Sequence, residues 1–240
     1  MGEVKRNYYP TGELESEWFE VNGIKEGEFK SYYLDGQLGE ICNYVNGLKE
    51  GEYKRYWNED DYEDENENET EDEKLMEKSN YINGMKEGES KFYHWNDQLY
   101  EICNYVNDKK EGESKEYDEN GKLYKISNYV NGKLNGEQKT YHMNGQLKEI
   151  YNYVNYKREG EYKKYYDNGQ LNQISNFVNG KEEGEYKFYY KDGQLWQTVN
   201  FINGIEEGEL KIYHDNGKLC QSSIFVNGKR EYVSEVFDKN

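Results

Sequence analysis

The chain has 240 residues, with 31 Lys and Arg against 49 Asp and Glu and a formal net charge of −18. That balance argues against unaided binding of DNA or RNA, whose phosphates need a basic surface, and no apolar run approaches the roughly 18 residues of a membrane span. Alanine is absent, proline occurs once (Pro10) and tyrosine 27 times, a composition that opposes helix and favours strands, whose surfaces the tyrosine ring can cover.

The start, Met1 to Tyr9, has no apolar h-region, so no secretory signal is expected. Residues 1–26 read as a first repeat, ahead of the 24-residue Gly-Glu series, that serves as a cap. From there Gly-Glu recurs at Gly27, Gly51, Gly88, Gly112, Gly136, Gly160, Gly184 and Gly208, spaced by 24 residues except for one spacing of 37. Two further markers keep the same register: Asn22, Asn46, Asn83, Asn107, Asn131, Asn155, Asn179, Asn203 and Asn227, and a leucine series from Leu14 and Leu38 to Leu219. A fixed period of this length is the signature of a repeat architecture. Each unit holds two strand-length segments separated by turn signals, such as Asp35-Gly36 and Asn168-Gly169. Asn-Gly or Asp-Gly between apolar runs marks a hairpin, glycine supplying the positive φ. The expected fold is all-β: an elongated single-layer antiparallel meander of about nine 24-residue hairpins in one domain, with on the order of eighteen strands.

The motif Tyr32-Tyr33-Leu34-Asp35-Gly36-Gln37-Leu38, followed by Tyr44-Val45-Asn46-Gly47, resembles the MORN repeat in the bacterial variant of YwqK-type antitoxin proteins. The resemblance covers roughly residues 3 to 229. It implies an elongated β structure that serves in protein or membrane association, and, for that variant, an antitoxin role.

Within each unit Glu, Lys and Tyr alternate, as in Glu28, Lys30 and Tyr32, which puts them on one strand face. A residue set present in every repeat is what stacking requires, so these read as a cross-strand charge ladder with a packing tyrosine. Two positions vary and sit on the opposite face. One follows Gly-Glu: Phe29, Tyr53, Ser90, Ser114, Gln138, Tyr162, Tyr186 and Leu210. The other follows the fixed tyrosine: Tyr33, Trp57, His94, Asp118, His142, Tyr166, Tyr190 and His214. The aromatic members, Tyr33, Trp57, Tyr166 and Tyr190 among them, are candidate partner-binding residues, the alternative being that they only cover the sheet.

The spacing of 37 marks 13 extra residues between Trp57 and Leu75, and the segment 58–74 that contains them holds eleven acids and one base, Lys74. Of these, Glu59, Asp60, Asp61, Glu63, Asp64, Glu65, Glu67 and Glu69 are candidates to steer a basic partner; the plainer reading is a solvated loop. An EF-hand reading fails, because Glu69 stands where the loop needs glycine and Leu75 where it needs the last glutamate. At the other end, residues 230–240 read as a closing strand and a charged tail that blunts the sheet edge.

Catalytic constellations are not expected. His94, His142 and His214 share one repeat position and lie repeats apart, as do Cys42 and Cys103, so neither a shared metal nor a disulfide fits an extended sheet. Free thiols without a signal fit a reducing cytoplasm. No phosphate loop, Cys-x-x-Cys or nucleophile elbow occurs. The expected function is therefore non-enzymatic protein binding without cofactor or metal. Its specific form is an antitoxin- or immunity-like inhibitor that occludes a protein partner, such as a basic toxin or nucleic-acid enzyme. Two alternatives stand beside it: an acidic nucleic-acid mimic that blocks a nucleic-acid-binding enzyme, and an assembly scaffold. The charge disfavours an anionic membrane surface.

Overall fold

The structure is a computed structural model and describes residues 1–58 and 73–233. The described residues form strands and turns with no helix, and no helix is long and apolar enough to cross a membrane. The chain divides into two compact units, Met1–Lys122 and Leu123–Asn240. In the first, the strands are β1 (Gly2–Tyr8), β2 (Leu14–Val21), β3 (Ile24–Tyr32), β4 (Leu38–Val45), β5 (Leu48–Lys49), β6 (Gly51–Tyr56), β7 (Leu75–Ile82), β8 (Met85–Lys86), β9 (Gly88–Tyr93), β10 (Leu99–Val106) and β11 (Lys109–Tyr117). In the second they are β12 (Leu123–Val130), β13 (Lys133–Leu134), β14 (Gly136–Tyr141), β15 (Leu147–Val154), β16 (Lys157–Arg158), β17 (Gly160–Tyr165), β18 (Leu171–Val178), β19 (Lys181–Glu182), β20 (Gly184–Tyr189), β21 (Leu195–Ile202), β22 (Ile205–Glu206), β23 (Gly208–Tyr213), β24 (Leu219–Val226) and β25 (Lys229–Val233). Within each unit the strands pair antiparallel with their chain neighbours, as an open hairpin meander. The first repeat supplies β1 and β2, and the closing strand β25 pairs with β24; residues 234–240 lie outside the described residues.

The strand count exceeds the expected eighteen because most second strands of a repeat are broken near their Gly-Glu. Tyr44 pairs with Lys49 and Ile41 with Lys54, so five steps on one chain run beside three on the other. The two extra residues are absorbed where Gly51 takes φ 82° and Glu50 donates its N–H to the Asn43 carbonyl at 2.8 Å. Such a φ suits glycine alone among ordinary residues. An insertion of two keeps the side-chain alternation in phase, so each face stays the same across the break.

The two turns of a repeat differ in chemistry. At Asn46-Gly47 both residues have positive φ, 51° and 80°, the combination a tight two-residue hairpin needs. At Asp35-Gly36 only Gly36 is positive; Gly36 N–H bonds the Tyr33 carbonyl at 3.0 Å, and the Asp35 carboxylate accepts the Gln37 N–H at 2.9 Å. Asn144, Asn168 and Asp192 repeat that side-chain bond, which explains why Asp or Asn precedes this glycine.

Consecutive repeats are tied by three bonds. The Gly47 N–H reaches the Lys25 carbonyl at 2.9 Å, the Asn46 N–H reaches the Glu26 carboxylate at 2.8 Å, and the Tyr33 hydroxyl reaches the Tyr56 carbonyl at 2.7 Å. The recurring Lys-Glu-Gly-Glu string is therefore a junction. The charge ladder runs mostly along one strand, as in Glu28–Lys30 at 2.8 Å and Glu161–Lys163 at 2.5 Å, while Glu52 also reaches Lys78 across the strands at 2.6 Å, as expected. Exposed pairs of this kind contribute little to stability, about 0–1 kcal/mol.

Candidate binding surface

The acidic candidates Glu59, Asp60, Asp61, Glu63, Asp64, Glu65, Glu67 and Glu69 lie outside the described residues. The ends of their segment are placed. Trp57 N–H bonds the Lys74 carbonyl at 2.9 Å, the same bond that Tyr33 makes to Gln37 at 2.8 Å and Tyr166 to Gln170. The insertion thus replaces the interior of one Asp-Gly turn and leaves its closing bond in place.

The position after Gly-Glu lies opposite the lysine face, as alternation requires, but it does not form a free surface. Tyr53, Ser90, Ser114, Gln138, Tyr162, Tyr186 and Leu210 are buried. They face a second column directly across the ladder: Tyr53 meets Ser79, Tyr162 meets Ser175, Leu210 meets Ser223, Tyr186 meets Val199 and Gln138 meets Tyr151. A large side chain on one strand mostly meets a small one on the next, which is how a one-sheet interior fills its volume. These residues are withdrawn as binding candidates.

The two units cover this face differently. In the first, lysines bridge interior glutamates and lie over rings: Lys49 bonds Glu40 at 2.7 Å and sits 4.4 Å from the Tyr53 ring centre, and Lys86 bonds Glu77 at 2.5 Å. Buried Glu101 accepts from Lys110 and, at 2.6 Å, from the Ser114 hydroxyl. In the second unit ring contacts run from strand to strand, Tyr151–Tyr162 at 6.0 Å, Tyr162–Phe177 at 6.1 Å and Tyr186–Phe201 at 4.8 Å, each such pair contributing about 0.5–1.5 kcal/mol beyond area burial, and Arg158 lies over the Tyr151 and Tyr162 rings. Burial pushes the Cys42 thiol up to about 12 and the Cys103 thiol to about 11, which makes both poor nucleophiles.

Of the turn-position aromatics, Tyr33, Tyr166 and Tyr190 are half-buried, and their hydroxyls donate to main-chain carbonyls 23 residues on: Tyr56 at 2.7 Å, Tyr189 at 2.7 Å and Tyr213 at 2.8 Å. His94 and His142 put Nε2 in the same place, 3.0 Å from the Tyr117 and Tyr165 carbonyls. That accounts for Tyr or His at this position: each carries a donor at about the same reach. Trp57 instead lines a cavity of about 430 Å³ together with Tyr93, Trp95, Tyr100 and Glu119. Lys74 Nζ lies 3.3 Å from the Trp95 ring centre.

A surface not anticipated from the sequence lies at the Asn-Gly turns. In the first unit three of the four such turns are flanked by a cross-strand aliphatic pair, Val21/Ile24, Val45/Leu48 and Ile82/Met85, and the fourth by Val106/Lys109. Ile24 is 49% exposed, Leu48 48% and Ile82 46%. They lean from one repeat to the next, for a β-carbon on Gly47 would lie 3.2 Å from Ile24 Cγ2, and one on Gly84 3.3 Å from Leu48 Cδ2. In the second unit lysine takes the later place in most pairs, Val130/Lys133, Val154/Lys157 and Val178/Lys181. The signal was present in the sequence as Ile24, Leu48 and Met85 against Lys133, Lys157 and Lys181, each two residues after the turn asparagine.

The family model described as the MORN repeat variant matches residues 25–46, 86–107, 110–131, 134–155, 158–179, 182–203 and 206–227. No curated protein matches the chain. Among solved structures it is similar to the crystal structure of TcdB2-TccC3, at 12% identity and a TM-score of 0.23 over 94% of this chain and 15% of that one. It is also similar to the Photorhabdus luminescens Tc holotoxin pore, at 13% identity and a TM-score of 0.22 over 94% of this chain and 14% of that one. A porin-like protein from Bacteroides uniformis is matched at 8% identity and a TM-score of 0.21, over 97% and 93% of the two chains. The chain thus spans about 15% of the length of the first of these structures.

Proposed function

This chain belongs to the MORN repeat variant family, and on that premise we propose that it is a non-catalytic repeat protein whose first unit docks a protein partner. The observation that carries the reading is the row of exposed aliphatic pairs at the first-unit turns, Ile24, Leu48 and Met85 with Val45 and Ile82. Contiguous exposed apolar side chains are costly in water and mark association surfaces. The acidic segment 58–74 belongs to the same unit and supports a basic partner, drawn in by long-range attraction. The finer reading is an inhibitor that occludes that partner, as an antitoxin or immunity protein does. The charge of −18 also favours a second reading, in which the chain mimics nucleic acid and blocks a nucleic-acid enzyme.

The test copies the second unit onto the first. The triple variant Ile24→Lys, Leu48→Lys, Met85→Lys places at each turn the residue that Lys133, Lys157 and Lys181 already show the fold accepts. Its melting temperature should match the parent, while proteins captured from the host by affinity purification should fall at least tenfold. Equal capture by parent and variant rejects the docking surface. A small toxin among the lost proteins favours inhibition; a basic nucleic-acid enzyme favours mimicry.

A further inference from the structure

Two walls of the cavity beside the insertion, Trp57 and Trp95, depart from the repeat. Where Trp57 stands, other repeats have Tyr, His or Asp; where Trp95 stands they have Leu34, Met143, Asp167, Lys191 and Asp215. Residues required by stacking recur, so residues confined to one place answer to something else. The rings are held firmly. His94 is anchored to the Tyr117 carbonyl and packs edge-on against Tyr100, ring centres 5.0 Å apart, while Asn96 donates to the Glu119 carbonyl at 2.7 Å. Trp57, Tyr93, Trp95 and Tyr100 give the 430 Å³ space aromatic walls, and Glu119 adds one carboxylate at its exposed rim.

A cation already uses this chemistry, since the Lys74 ammonium lies 3.3 Å from the Trp95 ring centre. Aromatic faces attract cations through the ring quadrupole, tryptophan most strongly, and walls of this kind are how alkylated ammonium groups are recognised. A primary ammonium keeps its water tightly; a trimethylammonium sheds it easily and presents methyl groups to the rings, so it gains more from an aromatic enclosure. We propose that the cavity is a binding site for a choline-type trimethylammonium group, held by the aromatic walls of Trp57, Tyr93, Trp95 and Tyr100. The site goes beyond the protein-docking surface and does not depend on it. The group is the same whether carried by a free small molecule or by a phosphatidylcholine headgroup.

The test is titration of the full chain with choline and with tetramethylammonium, at constant ionic strength, followed by tryptophan fluorescence, since Trp57 and Trp95 both line the cavity. Both should give a saturable change. The uncharged carbon isostere of choline, in which tert-butyl replaces trimethylammonium, should bind at least tenfold more weakly. Trp95→Ala should abolish the response, and Trp95→Phe, which keeps a ring, should weaken it. Trp57→Ala should weaken choline binding as well, since Trp57 lines the same cavity. Co-sedimentation with phosphatidylcholine vesicles that free choline reverses would assign the group to a lipid; choline binding without co-sedimentation would assign it to a free molecule. Equal affinity for choline and its isostere, no saturable response, or an undiminished response in Trp95→Ala would each overturn the proposal.

Discussion

Replacing Tyr166 and Tyr190 together by phenylalanine removes two hydroxyls and leaves both rings in place. In the structure those hydroxyls bond the Tyr189 and Tyr213 carbonyls at 2.7 and 2.8 Å, one repeat further on. A hydrogen bond of this kind is worth about 0.5–1.5 kcal/mol net. The two share no partner, so their losses should add, giving about 1–3 kcal/mol. For a chain of this size each kcal/mol shifts the melting temperature by about 2–4 °C, so the double variant should melt roughly 4–8 °C lower for a loss near 2 kcal/mol. Thermal circular dichroism measures that shift, and affinity capture run in parallel should be unchanged. A melting temperature within about 1 °C of the parent, with capture lost, would refute the tie: the hydroxyls would then serve a partner, and Tyr33, Trp57, Tyr166 and Tyr190 would be the docking face.

The fold should be labile to alkali. Burial raises Tyr44 and Tyr81 to about 12 and Tyr53, Tyr105 and Tyr162 further. A folded value above the unfolded one, near 10, means that stability is intact below about pH 9 and is lost as pH climbs through that gap; tyrosinate absorbance should rise together with loss of the β spectrum, and titration near 10 with the fold intact would contradict this. Buried Cys42 and Cys103 should react with a thiol reagent at neutral pH far more slowly than half-buried Cys220, and all three should react alike in urea. Tyr156→Gly should stabilise the chain by about 1 kcal/mol, because Tyr156 holds φ 68° where most repeats have glycine; a lower urea midpoint would mean that the Tyr156 hydroxyl bond to the Gly132 carbonyl outweighs the strain.

The hairpins were readable because Asn-Gly and the 24-residue period are local signals, and Asn46-Gly47 takes the backbone that its residues alone favour. The break at Gly51 was not, since a glycine at a fixed interval marks a position without saying how many residues the partner strand skips. Alternation put Tyr53 and Tyr162 on the correct side of the sheet. It could not reveal that this side is covered, because the cover comes from residues such as Lys49 and Glu40 that read as solvated charges. The hydroxyl ties of Tyr33 and Tyr166 escaped for a similar reason: their partner is a main-chain carbonyl 23 residues away, which no side-chain pattern records.

The closing bond from Trp57 to Lys74 matches the one across every other Asp-Gly turn, from Tyr33–Gln37 to His214–Lys218. A turn sealed in this way from the sheet behaves as a socket: whatever chain is threaded through it enters and leaves at fixed points, and the neighbouring repeats keep their spacing. Foreign segments grafted at Asn168-Gly169 or Asp192-Gly193, both in the second unit, would enter by the same route, one repeat apart. The architecture is thus a ruler with interchangeable marks, on which natural variation or design can place recognition loops at chosen separations.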